Sequence, residues 1–413
     1  MRQDSIPRRV RRAGAAQGVT LAFAGFLPIL SILSLAPAVP TLIAHFRDVP
    51  NAGLIVPLLV TTPGLMVALL SPLAGLVADR HGRRLPILFA TFFYAFAGAA
   101  PVVFGDLWAV LLSRVLVGVS ETFVLVIVNA LFADYYDEGA RRTWITMQGI
   151  LGPFLGAASI AGAGALAGAN WSYVFLIYLL AFPIFLAMLL FFFEPERVPH
   201  HAVDADQRNA SAEASQSRAF SWGTAAAYCS VTIFSSIIYY VFTVNGGLAF
   251  QAIGVEAAGR IGAIMGMAGL AVLPGALVFN LISRRWSGER VIATFLLFLG
   301  LGTGGMGIST SVAMMTVFAF VQQFGAGMTV AGLIFWVSRL LPPQHRGRGF
   351  GLWTSAFFAA QFISPAIVGI IGGAGGGVLM AFTVMGALSV VMSVVILTQA
   401  HRLPKPLGVP KAA

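Results

Sequence analysis

Charge is scarce in this chain. Only 10% of its 413 residues are Asp, Glu, Lys or Arg, whereas soluble domains carry about 25%. That shortage excludes an ordinary water-exposed globule. Cysteine occurs once, at Cys229, so an internal disulfide is excluded, and the residue reads as packing. The adjacent His200 and His201 have no further ligands around them, so they read as part of a solvated loop and not as a metal site. No nucleotide-binding loop and no metal-ligand cluster occur. Nothing here indicates an enzyme or a cofactor.

What the chain has in abundance is apolar residues, 58% of the total, together with 46 Gly and 33 Phe. Windows of about 20 apolar residues, long enough to cross a hydrocarbon core, recur along its length. Six lie near 18–40, 52–76, 85–104, 107–133, 143–168 and 171–193. Six more lie near 223–250, 258–282, 290–309, 311–336, 348–373 and 376–399. The expected fold is an all-α membrane protein of twelve transmembrane helices, and glycine inside such helices lets their backbones approach closely.

The net charge of +10 could mark a nucleic-acid partner, and the placement of the charges decides against it. If every window spans, 22 of the 25 basic residues fall on one side, and only Arg47, Arg114 and Arg260 do not. That asymmetry is the positive-inside pattern, so both termini are expected in the cytoplasm and the protein in the inner membrane. A basic start followed by an apolar run and Ala36-Pro37-Ala38 could be a cleaved leader. Its removal would leave eleven spans, and the apolar run is longer than usual for a leader, so it reads as the first helix.

The longest polar interruption, 194–220, is Ala/Ser-rich and nearly free of large apolar residues, which predicts a flexible linker. It divides the chain into a basic N-terminus 1–17, a six-helix bundle 18–193, the linker 194–220, a second bundle 221–399 and a tail 400–413. The halves show a faint repeat. The connections after spans 4 and 10 each carry basic residues and then a Trp, Trp144 or Trp353, early in the next span. Spans 5 and 11 each hold a mid-span proline beside a small residue, Pro153 and Pro365. Two pseudo-symmetric six-helix bundles are expected.

Between spans 2 and 3 stands GLVADRHGRR, residues 75–84. It resembles the G-x-x-x-D-R-x-G-R-[RK] motif of the major facilitator superfamily, matched at Gly75, Asp79, Arg80, Gly82, Arg83 and Arg84. Gly75 removes a side chain where span 2 would pass close to a neighbour. Asp79 closes span 2 at the surface, where an acid suits the positive N-terminus of another helix. The resemblance implies that this partner is helix 11. The pair would then form a cytoplasmic gate that stabilises the outward-facing state and opens when the transporter faces inward. The implied fold places the binding site between the bundles near the midplane.

Three further stretches narrow the resemblance. LLSRVLVGVSE (111–121) is similar to the superfamily's helix 4 motif, with Arg114 and Gly118 in register. GILGPFLGA (149–157) resembles the helix 5 antiporter motif at Gly152, Pro153 and Gly156, where a bend is expected; Gly149 is one residue too close. Pro37 and Pro40 fit the helix 1 pattern of twelve-span drug antiporters, although span 1 holds no acid.

Only Arg114 and Glu121 place charge well inside a span. A charge at the bilayer centre costs roughly 3 kcal/mol, which makes each a candidate functional group. Seven residues apart, they share one helix face about 10 Å from each other, with Gly118 between them expected to leave room for water or substrate. Burial disfavours the ionised carboxyl and a nearby guanidinium favours it, as proton coupling through Glu121 requires; a structural polar pair is the plainer alternative.

The second half offers Tyr239, Tyr240, Asn245, Gln322, Gln323, Trp353 and Gln361 as cavity candidates. Consecutive residues on a helix diverge, so one Tyr and one Gln are expected to serve, with Phe123, Phe357 and Phe358 in the core. The expected function is proton-driven export of small amphipathic compounds by a multidrug-type antiporter working through alternating access, as a monomer in the lipid bilayer and without a nucleic-acid partner. The rivals are a proton symporter importing an organic anion held by Arg114, and a non-transporting receptor or scaffold.

Overall fold

The computed structural model describes residues 13–195, 220–342 and 345–399; most of the linker, the basic N-terminus to Arg12 and the tail fall outside them. Among the described residues twelve helices are long and apolar enough to cross a membrane. The first bundle comprises α1 (Ala15–His45), α2 (Ala52–His81), α3 (Arg84–Val102), α4 (Leu107–Tyr135), α5 (Glu138–Ala169) and α6 (Tyr173–Phe191). The second comprises α7 (Trp222–Ala252), α8 (Ala258–Ile282), α9 (Gly288–Gly307), α10 (Val312–Leu340), α11 (Arg346–Gly373) and α12 (Gly377–Thr398). Among the described residues there is no strand. Each expected window has its helix, and several helices overrun their windows because the backbone ladder continues past the apolar stretch.

Several of the few polar residues start helices. Asp106 accepts from the backbone N–H of Ala109 at 2.9 Å and opens α4, and Asp137 accepts from Ala140 N–H at 2.8 Å and opens α5. Ser221 and Ser311 do the same for α7 and α10. Each satisfies a backbone donor that the helix leaves free at its start.

One break in the first bundle falls within α1. Ala36-Pro37-Ala38 forms a buried 3-10 turn between two α-helical stretches, where Pro37 and Pro40 each lack a backbone donor. The possible leader cleavage site is therefore the interior of a spanning helix. By contrast, α5 is helical from Glu138 to Ala169 straight through Pro153.

The bundles meet in the half of the membrane away from the basic connections. At α5 and α8, a Cβ on Gly266 would lie 2.7 Å from Ala157 O, and one on Gly164 would lie 2.6 Å from Ala258 O. At α1 and α7, a Cβ on Gly247 would lie 2.9 Å from Ala36 O. Between α2 and α11 the Gln361 amide fills the space over Gly64, and Ser355 Oγ donates to Ala68 O at 3.1 Å. Ser355 is still about 14 Å along α11 from its basic end. Beyond that depth Gly75, Gly149, Gly347 and Gly351 have open space where a Cβ would point. The first half of α8, Ala258–Gly269, packs along α5 while its second half, Val272–Ile282, barely touches it, so the bundles part toward the basic face.

Candidate functional site: a buried acid between the bundles

Glu121 sits in α4 and is 2% exposed, and its Oε2 has no hydrogen-bond partner among the described residues. The Ser31 hydroxyl of α1 faces the carboxyl, yet Ser31 Oγ itself completes no hydrogen bond. Tyr94 of α3 and Tyr240 of α7 are close enough to feel its charge. This carboxyl is thus buried in the packing of α4 with few polar groups around it.

Arg114, fully buried two turns away, is tied down differently. Its Nη2 donates to Gly98 O and to Ser113 Oγ, each at 2.9 Å, and its Nε donates to Ser113 Oγ at 3.1 Å. Its Cζ lies 5.0 Å from the Phe175 ring centre and 4.6 Å from that of Tyr178. These rings belong to the 3-10 stretch Tyr173–Leu180 that opens α6. Side chains three apart on such a turn eclipse, which sets both rings against one guanidinium. Tyr178 in turn donates to Ser31 O at 2.9 Å, linking the arginine clamp to the helix that faces Glu121. Only Nη1 is left without a partner.

Gly118, between them in sequence, leaves no room for water or substrate. A Cβ there would lie 2.7 Å from Pro63 Cα, because the α2 backbone packs into the notch. Gly156 is likewise a packing position, against Leu33 of α1. Gly152 faces open space.

In the second bundle an aromatic plate forms around Phe357. Tyr239, Tyr240 and Trp353 have ring centres 6.0, 5.5 and 5.5 Å from it, the last one stacked. Both tyrosines therefore pack against the same ring. Phe357, expected only as core, joins them because one ring on a facing helix spans two diverging neighbours. Gln322 Nε2 donates to Tyr239 O at 3.4 Å while its Oε1 has no partner, and Trp353 Nε1 is also unpartnered. Gln323 is buried beside it in sequence. Asn245 is buried on the closed side and bonds weakly to its own helix at Val241 O. Gln361, one turn beyond Phe357 on α11, lies at the contact with α2.

Sequence reasoning missed the buried hydroxyls that have no partner among the described residues, which lie on helices of both bundles and include Ser34, Thr232, Ser235, Ser236 and Thr303. Serine and threonine are common in membrane helices, so only the structure singles these out.

On the basic face the motif residues divide by role. Arg83 pairs with Asp134 at the end of α4. The Glu194 carboxylate, just past α6, accepts from the backbone N–H of Arg83 at 2.8 Å and of Arg84 at 2.9 Å. It lies where a Cβ on Gly82 would be, and Gly82 has φ +86°, a conformation that favours glycine. Glu194 thus caps α3 and is no part of a free linker. Arg84 Nη2 donates to Leu189 O at 3.2 Å. Asp79 is exposed and makes no ion pair or hydrogen bond among the described residues, and nothing stands close to Gly75.

A family model described as Major Facilitator Superfamily matches residues 21–309 and 257–412. The tetracycline resistance protein, class E, of Escherichia coli is 30% identical over 141 residues, and that stretch spans 33% of this chain and 33% of the relative. Two solved structures share the fold at low identity. The inward-open xylose transporter of Escherichia coli has a TM-score of 0.73 at 13% identity, covering 96% of each chain. An inward-facing, unoccupied bacterial homologue of the human lysosomal transporter Spinster has a TM-score of 0.69 at 15% identity, covering 94% of this chain and 95% of that one.

Proposed function

The chain belongs to the Major Facilitator Superfamily of membrane transporters, and from that premise we propose that it is a proton-driven exporter of small amphipathic compounds. It would work as a monomer in the inner membrane with both termini cytoplasmic, so that the basic face is the cytoplasmic one. Cysteine labelling beside Arg12 and Arg208 tests this orientation, and access to either position from outside the cell would reverse it.

One observation carries the reading: the Glu121 carboxyl of α4 is buried, with an oxygen left unpartnered among the described residues. A group so placed can take a proton when the site is dry and release it when water or substrate enters. The aromatic plate of Tyr239, Tyr240, Trp353 and Phe357, with single amides around it, suits a flat, weakly polar ligand. The likeness of one third of the chain to a tetracycline resistance protein supports the direction chosen. Against the organic-anion importer stands the occupation of Arg114, whose guanidinium already serves Gly98, Ser113 and two rings. Against a scaffold stand the gate charges and the buried acid.

The test is transport into inside-out vesicles under an imposed proton gradient, with a panel of dyes and organic acids. Glu121→Gln keeps the shape but cannot release a proton. It should abolish gradient-driven accumulation while leaving binding and exchange intact. Normal proton-driven transport with an unchanged pH profile in that variant would sink the reading.

A further inference from the structure

A groove of about 720 Å³ opens sideways from the first bundle, away from the contact between bundles. It exists because α2 and α3 each pack along α4 but barely touch one another. Its walls include Phe89, Phe93 and Ala97 of α3, Leu116 and Phe123 of α4, and His81 of α2 at the basic end. From Leu85 to Ala97 it runs about 18 Å along α3, close to the roughly 15 Å of one leaflet's hydrocarbon.

The mouth is cationic. Val77 and His81 line it, and Arg80, next to His81 and three residues after Val77, stands beside that lining. Arg80 and His81 are exposed, and Arg80 has no ion pair among the described residues. The neighbouring cations are engaged elsewhere, Arg83 with Asp134 and Arg84 with Leu189 O. Asp79, two residues from His81, points to a different side of the helix. A second lateral groove of about 650 Å³, between α1, α5 and α6, has no charged residue in its lining. The two grooves are alike in size and apolar walls, and only the first has a basic side chain, His81, in its lining.

From this pairing of a one-leaflet apolar groove with a cationic rim, we infer that the α2–α3–α4 groove is a binding site for one anionic glycerophospholipid of the leaflet on the basic side. Its acyl chain lies along Phe89 and Phe93, and its phosphate meets Arg80 and His81. This inference does not depend on the transport reading. An arginine near an anionic membrane surface is worth about five-fold in affinity, so Arg80 should give selectivity of that order over a zwitterionic lipid.

Fluorescence quenching tests it. Phe89→Trp, and separately Phe93→Trp, places a reporter in the groove of the full-length protein, read as the difference from the parent chain. The reporters are reconstituted in vesicles doped with brominated phosphatidylglycerol or brominated phosphatidylcholine. Quenching should favour the phosphatidylglycerol about five-fold at low salt and lose that preference at high salt. Adding Arg80→Gln and His81→Gln should remove the preference while leaving quenching by phosphatidylcholine in place. Equal quenching by the two headgroups, or a preference that survives the double substitution, would overturn the inference and leave a groove filled by bulk acyl chains. Absence of quenching by either lipid in both reporters would also overturn it.

Discussion

Gly164 of α5 lies directly on Gly262 of α8: a Cβ on Gly164 would come within 2.8 Å of Gly262 Cα, and one on Gly262 within 2.9 Å of Gly164 Cα. No side chain can enter that contact without moving a backbone, so the closed face depends on it. Overpacking such a site costs about 1–3 kcal/mol, charged against the closed state alone. Gly262→Leu should therefore shift the population toward opening on the face away from the basic loops. A cysteine at Asn245, in a chain lacking Cys229, should then react several times faster with an impermeant maleimide from that face. Unchanged labelling would mean that the glycine contact does not hold the gate.

Twelve spans, their division into halves and the two buried charges were legible because each is a departure from a monotonous apolar background. One ionisable residue in a run of twenty apolar ones cannot be overlooked. Glu194 was not legible, since an acid at the edge of a polar segment looks solvated until the fold brings α3 under it. Gly118 misled in the opposite direction: a glycine between two charges reads as space, and α2 fills it with Pro63. Which face is closed was also hidden, because the glycines of α5 and α8 have the same composition as packing glycines anywhere in the bundle. Phe357 became part of the site only through its distances to rings on another helix.

Glu194→Ala should destabilise the first bundle. It removes the carboxylate that takes two backbone donors at the start of α3. Because the residue is exposed, the loss should resemble that of a helix cap, about 1 kcal/mol. Glu194→Gln retains an acceptor and should lose less. Thermal unfolding in detergent reads both, and equal midpoints for all three proteins would show that the cap adds nothing.

Among the described residues Asp79 has no ion-pair partner, as a released latch requires. If it docks on the N-terminus of α11 when that face closes, Asp79→Asn removes up to about 2 kcal/mol from the closed state, roughly a thirty-fold change in population. Transport should fall while ligand affinity in the open state stays the same. Cross-linking between α2 and α11 near their basic ends should fall in parallel. Lost binding with unchanged cross-linking would dismiss the latch.

Arg114 separates exporter from anion importer, though not by charge alone. The planar guanidinium is shared by Gly98 O, Ser113 Oγ and the rings of Phe175 and Tyr178. Lysine offers one ammonium in place of that fork and stacks less well. Arg114→Lys should therefore be nearly as harmful as Arg114→Ala even if no substrate touches the residue. The decisive quantity is where the damage appears. An arginine that clasps α4 to α3 and α6 stabilises the empty protein, so both variants should unfold earlier without ligand, by roughly 2 kcal/mol or more for the lost desolvated cation–ring contacts. Ligand affinity in the remaining folded protein should then stay near the parent value. Phe175→Leu, which removes one ring and leaves the charge, should reproduce part of the stability loss. An anchor for a carboxylate predicts the reverse: near-parent stability of the empty protein with Arg114→Lys, and a steep loss of affinity for organic acids. Measuring unfolding and binding on the same three variants distinguishes the two roles, and the second pattern would replace the exporter by the importer.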